Sequence, residues 1–167
     1  MTSLFQRSDA LISPCGLYRY RLSRTWDDRL PGVCFVMLNP SVADASVDDP
    51  TIRRCLSFAA SWGCGAIHVV NLFAFRSTDP DLLTDATDPI GPDNDHHILA
   101  ATTSGQRVIA AWGAVGRKYR EREAVVKKML RAGGVRVECL GLTKDGCPRH
   151  PLYVHGSTEP MPFEVQP

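Results

Sequence analysis

Apolar residues fall along this chain in short runs, separated by stretches with helical spacing. From Leu17 to Leu22 the pattern alternates. Tyr18, Tyr20 and Leu22 lie on one side and Arg19 and Arg21 on the other, the period of a half-buried strand. Gly32 to Leu38 is continuously apolar, as in a strand covered on both faces. It stops at Asn39-Pro40, because proline has no N–H for a ladder and holds its predecessor extended. Asp48 or Asp49 can then cap a helix with Pro50 at its first position. Ile52, Cys55, Leu56 and Ala59 make its apolar stripe, Arg53 and Arg54 lie off it, and Gly63 stops it. Further strand-like runs are Ala66 to Leu72, Arg107 to Trp112 and Val135 to Leu140. Asp93 opens a short helix reaching Gly105. A longer one from Val115 to Ala132 carries the stripe Val115, Tyr119, Val126 and Leu130, with Glu123 and Lys127 as an i,i+4 pair. Between Arg76 and Pro92, the prolines Pro80, Pro89 and Pro92 sit beside Asp or Gly, which is turn chemistry. A loop of that length is usually functional. The tail beyond Val154 reads as irregular.

Buried strands alternating with helices predict an α/β class. The expectation is a three-layer α/β/α domain with a mainly parallel four-stranded sheet and an N-terminal antiparallel strand. One domain spans 1–167, with its ordered core at about 15–154. Such sheets gather ligands at the carboxyl ends of their strands. Those ends carry Asn39 and Ser41, Asn71 and Phe73, Trp112, and the segment around Arg149, His150 and Leu152. Amides offer donors and an acceptor, a neutral or charged imidazole can donate to a developing oxyanion, and aromatic rings can stack on a flat ligand. Each also has a plainer reading. Asparagines end strands in turns, a loop histidine is commonly solvated, and a tryptophan ending an apolar run packs in the core.

Composition narrows the classes. The 167 residues carry 19 Lys+Arg against 18 Asp+Glu, a net charge of +1, which excludes a polybasic nucleic-acid arm and an acidic tail. Arg53, Arg54, Arg76, Arg117, Lys118 and Arg149 can still form a local basic face. No apolar run approaches the roughly 18 residues of a membrane span, and the first residues lack a signal-peptide pattern, so a cytoplasmic protein without a membrane partner is expected. The six cysteines form no C-x-x-C pair and read as reduced thiols. Cys147 and His150 are near enough in sequence for nucleophilic catalysis, a weak signal. Asp88, Asp93, Asn94 and Asp95 lack the spacing of a calcium loop. No dinucleotide, Walker A or nucleophile-elbow fingerprint is present, and neither a cofactor nor a metal is expected.

Four motifs follow one another at the strand ends: Met37-Leu-Asn-Pro-Ser41, Val70-Asn-Leu-Phe73, Ala111-Trp-Gly113 and His150-Pro-Leu-Tyr153. Their order resembles that of the uracil-DNA glycosylase superfamily. The resemblance implies that Asn39 holds or activates a water, Asn71 reads a base edge and His150 stabilises the departing base. It also implies that Leu152 fills the place of an extruded nucleotide. Here Leu-Tyr replaces the Ser-Pro continuation of the last motif. From Cys15-Gly-Leu-Tyr-Arg-Tyr20 through Asp49-Pro-Thr51 and Gly91-Pro-Asp-Asn94 to Pro148-Arg-His-Pro-Leu-Tyr153, the chain more closely resembles an uncharacterised bacterial and phage family, domain of unknown function 1643. The expected function is therefore recognition of a nucleobase. The partner is a nucleobase, a nucleotide or DNA, single-stranded DNA included, with Asn39 and His150 catalytic in an N-glycosidic hydrolase. Ser41, Asn71, Phe73, Trp112, Arg149 and Leu152 would contact substrate. The alternative is a non-catalytic domain that binds a nucleotide or modified nucleic acid in the same pocket. A third is a different hydrolase on the same kind of sheet.

Overall fold

A computed structural model describes residues 5–165, so the ends of the expected 1–167 domain lie outside the described residues. The fold is mixed α/β. Seven strands form one sheet: β1 (Arg7–Ile12), β2 (Arg19–Thr25), β3 (Gly32–Met37), β4 (Ala66–Asn71), β5 (Arg107–Ala110), β6 (Val137–Cys139) and β7 (Met161–Pro162). Their order is β1-β2-β4-β3-β5-β6-β7. Pairings β4–β3, β3–β5 and β5–β6 are parallel, and β1–β2, β2–β4 and β6–β7 are antiparallel. This corrects the expectation of a mainly parallel four-stranded sheet. The four apolar runs do pair in parallel at the centre, but antiparallel strands extend both sides. β1 and β7 escape the hydrophobic pattern because they are edge strands. β1 is mostly exposed, and β7 is two residues long, one a proline, which an edge tolerates. The ordered fold accordingly runs past the expected 15–154 core, with Phe163 buried.

Helices cover both faces. On one lies α1 (Pro50–Ser61), which buries Ile52, Cys55, Phe58 and Ala59 against Val33, Phe35, Ile67, Val69 and Ile109. Asp49 Oδ1 accepts the Ile52 N–H at 2.9 Å, Pro50 opens the helix, and Gly63 follows its end at φ +73°. On the other face α2 (Asn94–Thr102) and α3 (Arg120–Ala132) bury Ile98, Ala101, Val126 and Leu130 against Cys34, Val36, Val70, Val108 and Ala110. Burial on both faces is why β3 and β5 read as unbroken apolar runs. The expected Glu123–Lys127 surface pair is replaced by other partners. Glu123 is buried and accepts the Trp112 indole N–H at 3.0 Å, while Lys127 lies over the Phe163 ring.

The alternation rule fails at β2. Arg19 and Arg24 are only 2% and 1% exposed. Both reach under the segment joining β3 to α1. Arg19 Nη1 donates to the Ala43 carbonyl at 2.7 Å. Arg24 pairs with Asp48 and donates to the Asp44, Val47 and Ser23 carbonyls. A long side chain whose head meets carbonyl oxygens can be buried where its charge alone would forbid it.

Candidate functional site

The carboxyl ends of the four parallel strands open into a cavity of about 740 Å³. The connections splay there. β3 is followed by α1 on one face and β4 on one side, while β5 lies on the other side of β3, behind helices of the opposite face. A crevice forms wherever neighbouring connections leave a sheet in opposite directions. Asn39, Ser41, Asn71, Trp112, Arg149, His150 and Leu152 all line it.

Their settings differ. Asn71, at the end of β4, is 1% exposed, and both Oδ1 and Nδ2 are sealed from water without a partner. Its backbone carbonyl is used, accepting Asn94 Nδ2–H at 2.9 Å. Asn39 is half-buried, and its Nδ2 donates to the Pro40 and Ser77 carbonyls at 3.1 and 2.9 Å. Two carbonyls orient that amide, leaving Oδ1 as its free acceptor face. His150 Nδ1 accepts the Leu152 N–H at 3.2 Å, so the ring proton lies on Nε2. Burial holds the imidazole below its ordinary range and Asp49 pulls it partly back, leaving it neutral at physiological pH. Two features fix its place. Arg54 on α1 donates to the Pro151 and Val154 carbonyls at 3.2 and 2.5 Å, clamping the turn after His150. Gly113, at φ +76°, lets the β5 end pass so close that an added Cβ would lie 3.3 Å from His150 Cβ.

Phe73 is a correction. It is buried in the core with its ring 5.0 Å from Tyr119 and does not line the cavity. β4 ends at Asn71, so strand alternation no longer sets where Phe73 points, and its ring joins the core on the α2/α3 side. Trp112 forms part of the wall, but its ring is core: 1% exposed, bonded to Glu123 and edge-on to Phe163. Cys147 is buried in the α2/α3-side core and is absent from the cavity wall, which removes the Cys147–His150 pairing. Arg149 is exposed and donates from Nε to the Leu142 carbonyl, and Leu152 stands 42% exposed at the edge.

The cavity also holds residues that sequence patterns did not assign to it. Asp49 reads as a helix cap and is one, yet it also faces the cavity. Arg19 reads as solvent-facing. It is a buried cavity residue whose guanidinium is lowered by burial to about 10 and still charged at neutral pH. Ser77, Thr78 and Pro80 bring the long loop to the rim. Tyr119 Oη and Tyr18 Oη tie that loop down at the Pro80 and Asp88 carbonyls.

A family model described as a protein of unknown function, DUF1643, matches residues 19–152. The chain belongs to the DUF1643 family. No curated protein and no solved structure matches it. The DUF1643 match begins at Arg19 and ends at Leu152, and both line the cavity. Arg19 and Asp49 lie within Tyr18-Arg-Tyr20 and Asp49-Pro-Thr51, the motifs that carried the resemblance. That was the available signal for both. Among the described residues of this DUF1643 chain, no helix is long and apolar enough to cross a membrane.

Proposed function

We propose that the cavity recognises a nucleobase and that the protein is an N-glycosidic hydrolase, removing a uracil-like or modified base from DNA or from a nucleotide. One observation carries the reading: the unpartnered Asn71 amide at the strand-end cavity. A buried polar atom without a partner costs about 1–3 kcal/mol. An amide's donor and acceptor together complement the donor–acceptor edge of a base, which returns that cost on binding. Because both atoms are sealed in the free protein, binding includes a small displacement that uncovers them.

The neighbouring groups supply the chemistry. Asn39, held by two carbonyls, presents Oδ1 to a water that attacks the anomeric carbon. The glycosidic bond breaks, its electron pair leaves on the base, and the proton shed by the attacking water passes through solvent to the base anion. His150, neutral and protonated on Nε2, donates to the oxygen where that charge collects. An amide is a weak base, so the rate rests on positioning and on the leaving group. The order of the four strand-end motifs supports the same roles. That residue 39 is an amide rather than a carboxylate also favours a second reading, non-catalytic binding of a nucleotide or modified nucleic acid.

The test is base release from single-stranded and duplex oligonucleotides carrying uracil and modified bases, read by mass spectrometry. Release should fall about a hundredfold or more in His150→Ala. Saturable binding with no release selects the second reading. Neither binding nor release across the panel overturns both.

A further inference from the structure

Two arginines rise from β2 beneath the same segment, and they are treated differently. Arg24 is fully engaged, with a carboxylate and several carbonyls around its head. Arg19 is equally buried, but its guanidinium makes a single hydrogen bond, to Ala43, and its Nε–H is sealed without a partner. Among the described residues, no carboxylate lies within ion-pair distance of it. Asp49 and Asp44 offset its charge through space, but neither touches it, and a buried cation with no direct ion-pair partner persists where something else completes it. Arg19 lines the cavity.

Two independent features point the same way. The N-terminus of α1, a twelve-residue helix, enters the cavity through Asp49, Thr51 and Ile52, and helix N-termini favour anions. The lining otherwise adds Lys144 and Arg149. Its one carboxylate, Asp49, has Oδ1 committed to the Ile52 N–H. With His150 neutral, the cavity carries an excess of positive charge inside a chain that is nearly neutral overall.

We infer that Arg19 anchors a phosphate subsite in this cavity, so that the ligand is a nucleotide held by its phosphate at Arg19 and by its base at Asn71. The base half rests on the proposed function, whereas the phosphate half rests on Arg19 and the helix terminus alone. The phosphate has two possible sources, the monoester of a free nucleotide or a diester within a strand.

Calorimetric titration of the full chain separates these outcomes, using inorganic phosphate, deoxyuridine, its 5′-monophosphate and a short uracil-containing trinucleotide without terminal phosphate. The monophosphate or the trinucleotide should bind at least tenfold tighter than the nucleoside. Arg19→Gln should erase that gain and leave nucleoside affinity within twofold. A gain confined to the monophosphate assigns a free nucleotide, and a gain kept by the trinucleotide assigns a strand. Inorganic phosphate that binds wild type but not Arg19→Gln, with no nucleoside binding, upholds the subsite and overturns the nucleobase reading. A nucleoside that binds as tightly as both phosphorylated probes, or a gain that survives Arg19→Gln, overturns the subsite. Should that variant not fold, the buried Nε–H of Arg19 is followed by NMR in the wild-type chain. A saturable shift with phosphate supports the subsite, and an unmoved signal refutes it.

Discussion

Replacing Asn71 with leucine should make the free protein more stable while destroying its proposed binding. Leucine keeps the branching of asparagine and exchanges two sealed, unpartnered polar atoms for methyl groups. Each such atom costs about 1–3 kcal/mol, so their removal gains about 2–6 kcal/mol. Leucine is larger, and overpacking returns about 1–3 kcal/mol, although the adjoining cavity gives it room. The Asn94 bond to residue 71 uses the backbone carbonyl and survives. The net expectation is about 2 kcal/mol of stabilisation. For a domain of this size that is a rise of roughly 4–8 °C in Tm. Thermal unfolding by circular dichroism measures it, with base binding measured beside it. A variant that folds but melts at or below the wild-type temperature would refute the reasoning. It would mean that the Asn71 amide is already satisfied in the free protein, for example by a trapped water, and stores nothing for a ligand.

The other expectations follow from contacts on the same rim. Asp49→Ala should cost about 1 kcal/mol in urea unfolding by losing the α1 cap, whereas Asp49→Asn, an equally good cap, should stay within a few tenths. Arg24→Met strands Asp48 and the carbonyls of the 43–48 segment. It should cost about 3 kcal/mol or more and speed proteolysis there; a smaller loss with no change in cleavage would deny Arg24 its tethering role. Gly113→Ala meets both a positive φ and the His150 Cβ. It should lower stability by about 1 kcal/mol and reduce any base release disproportionately, which paired melting and activity assays would show. The His150 value is held below the ordinary 6.5, so the unfolded chain takes up its proton first as pH falls. This part of stability is complete above about pH 6.5 and is lost as pH drops from there through the folded value. His150→Asn should flatten the acid limb of a stability–pH curve. His68 and His97 are lowered in the same direction and remain, so only the difference from wild type tests the residue.

Local physics made part of this molecule legible from its sequence alone. The runs at Gly32–Leu38, Ala66–Leu72 and Arg107–Trp112 announce strands covered on both faces, because only such strands need no polar side. Asp49-Pro50 and Gly63 bracket α1 because backbone donors and left-handed geometry demand those residue types. The carboxyl ends of these strands carry Asn39, Asn71 and Trp112, the segment after the Val135–Leu140 run carries His150, and all four line one cavity. Edge strands were not legible, since β1 and β7 bury too little to leave a period. Nor was the fate of each side chain at the rim. Phe73 turned into the core, and Trp112 gave its indole N–H to Glu123 across the α3 contact. Arg19 broke the alternation of its strand because the Ala43 carbonyl of a distant loop received it. Pattern reads what a residue prefers against water. Only the tertiary structure decided which polar groups found partners, and so which of them, Asn71 and Arg19, are left facing a cavity with bonds still to make.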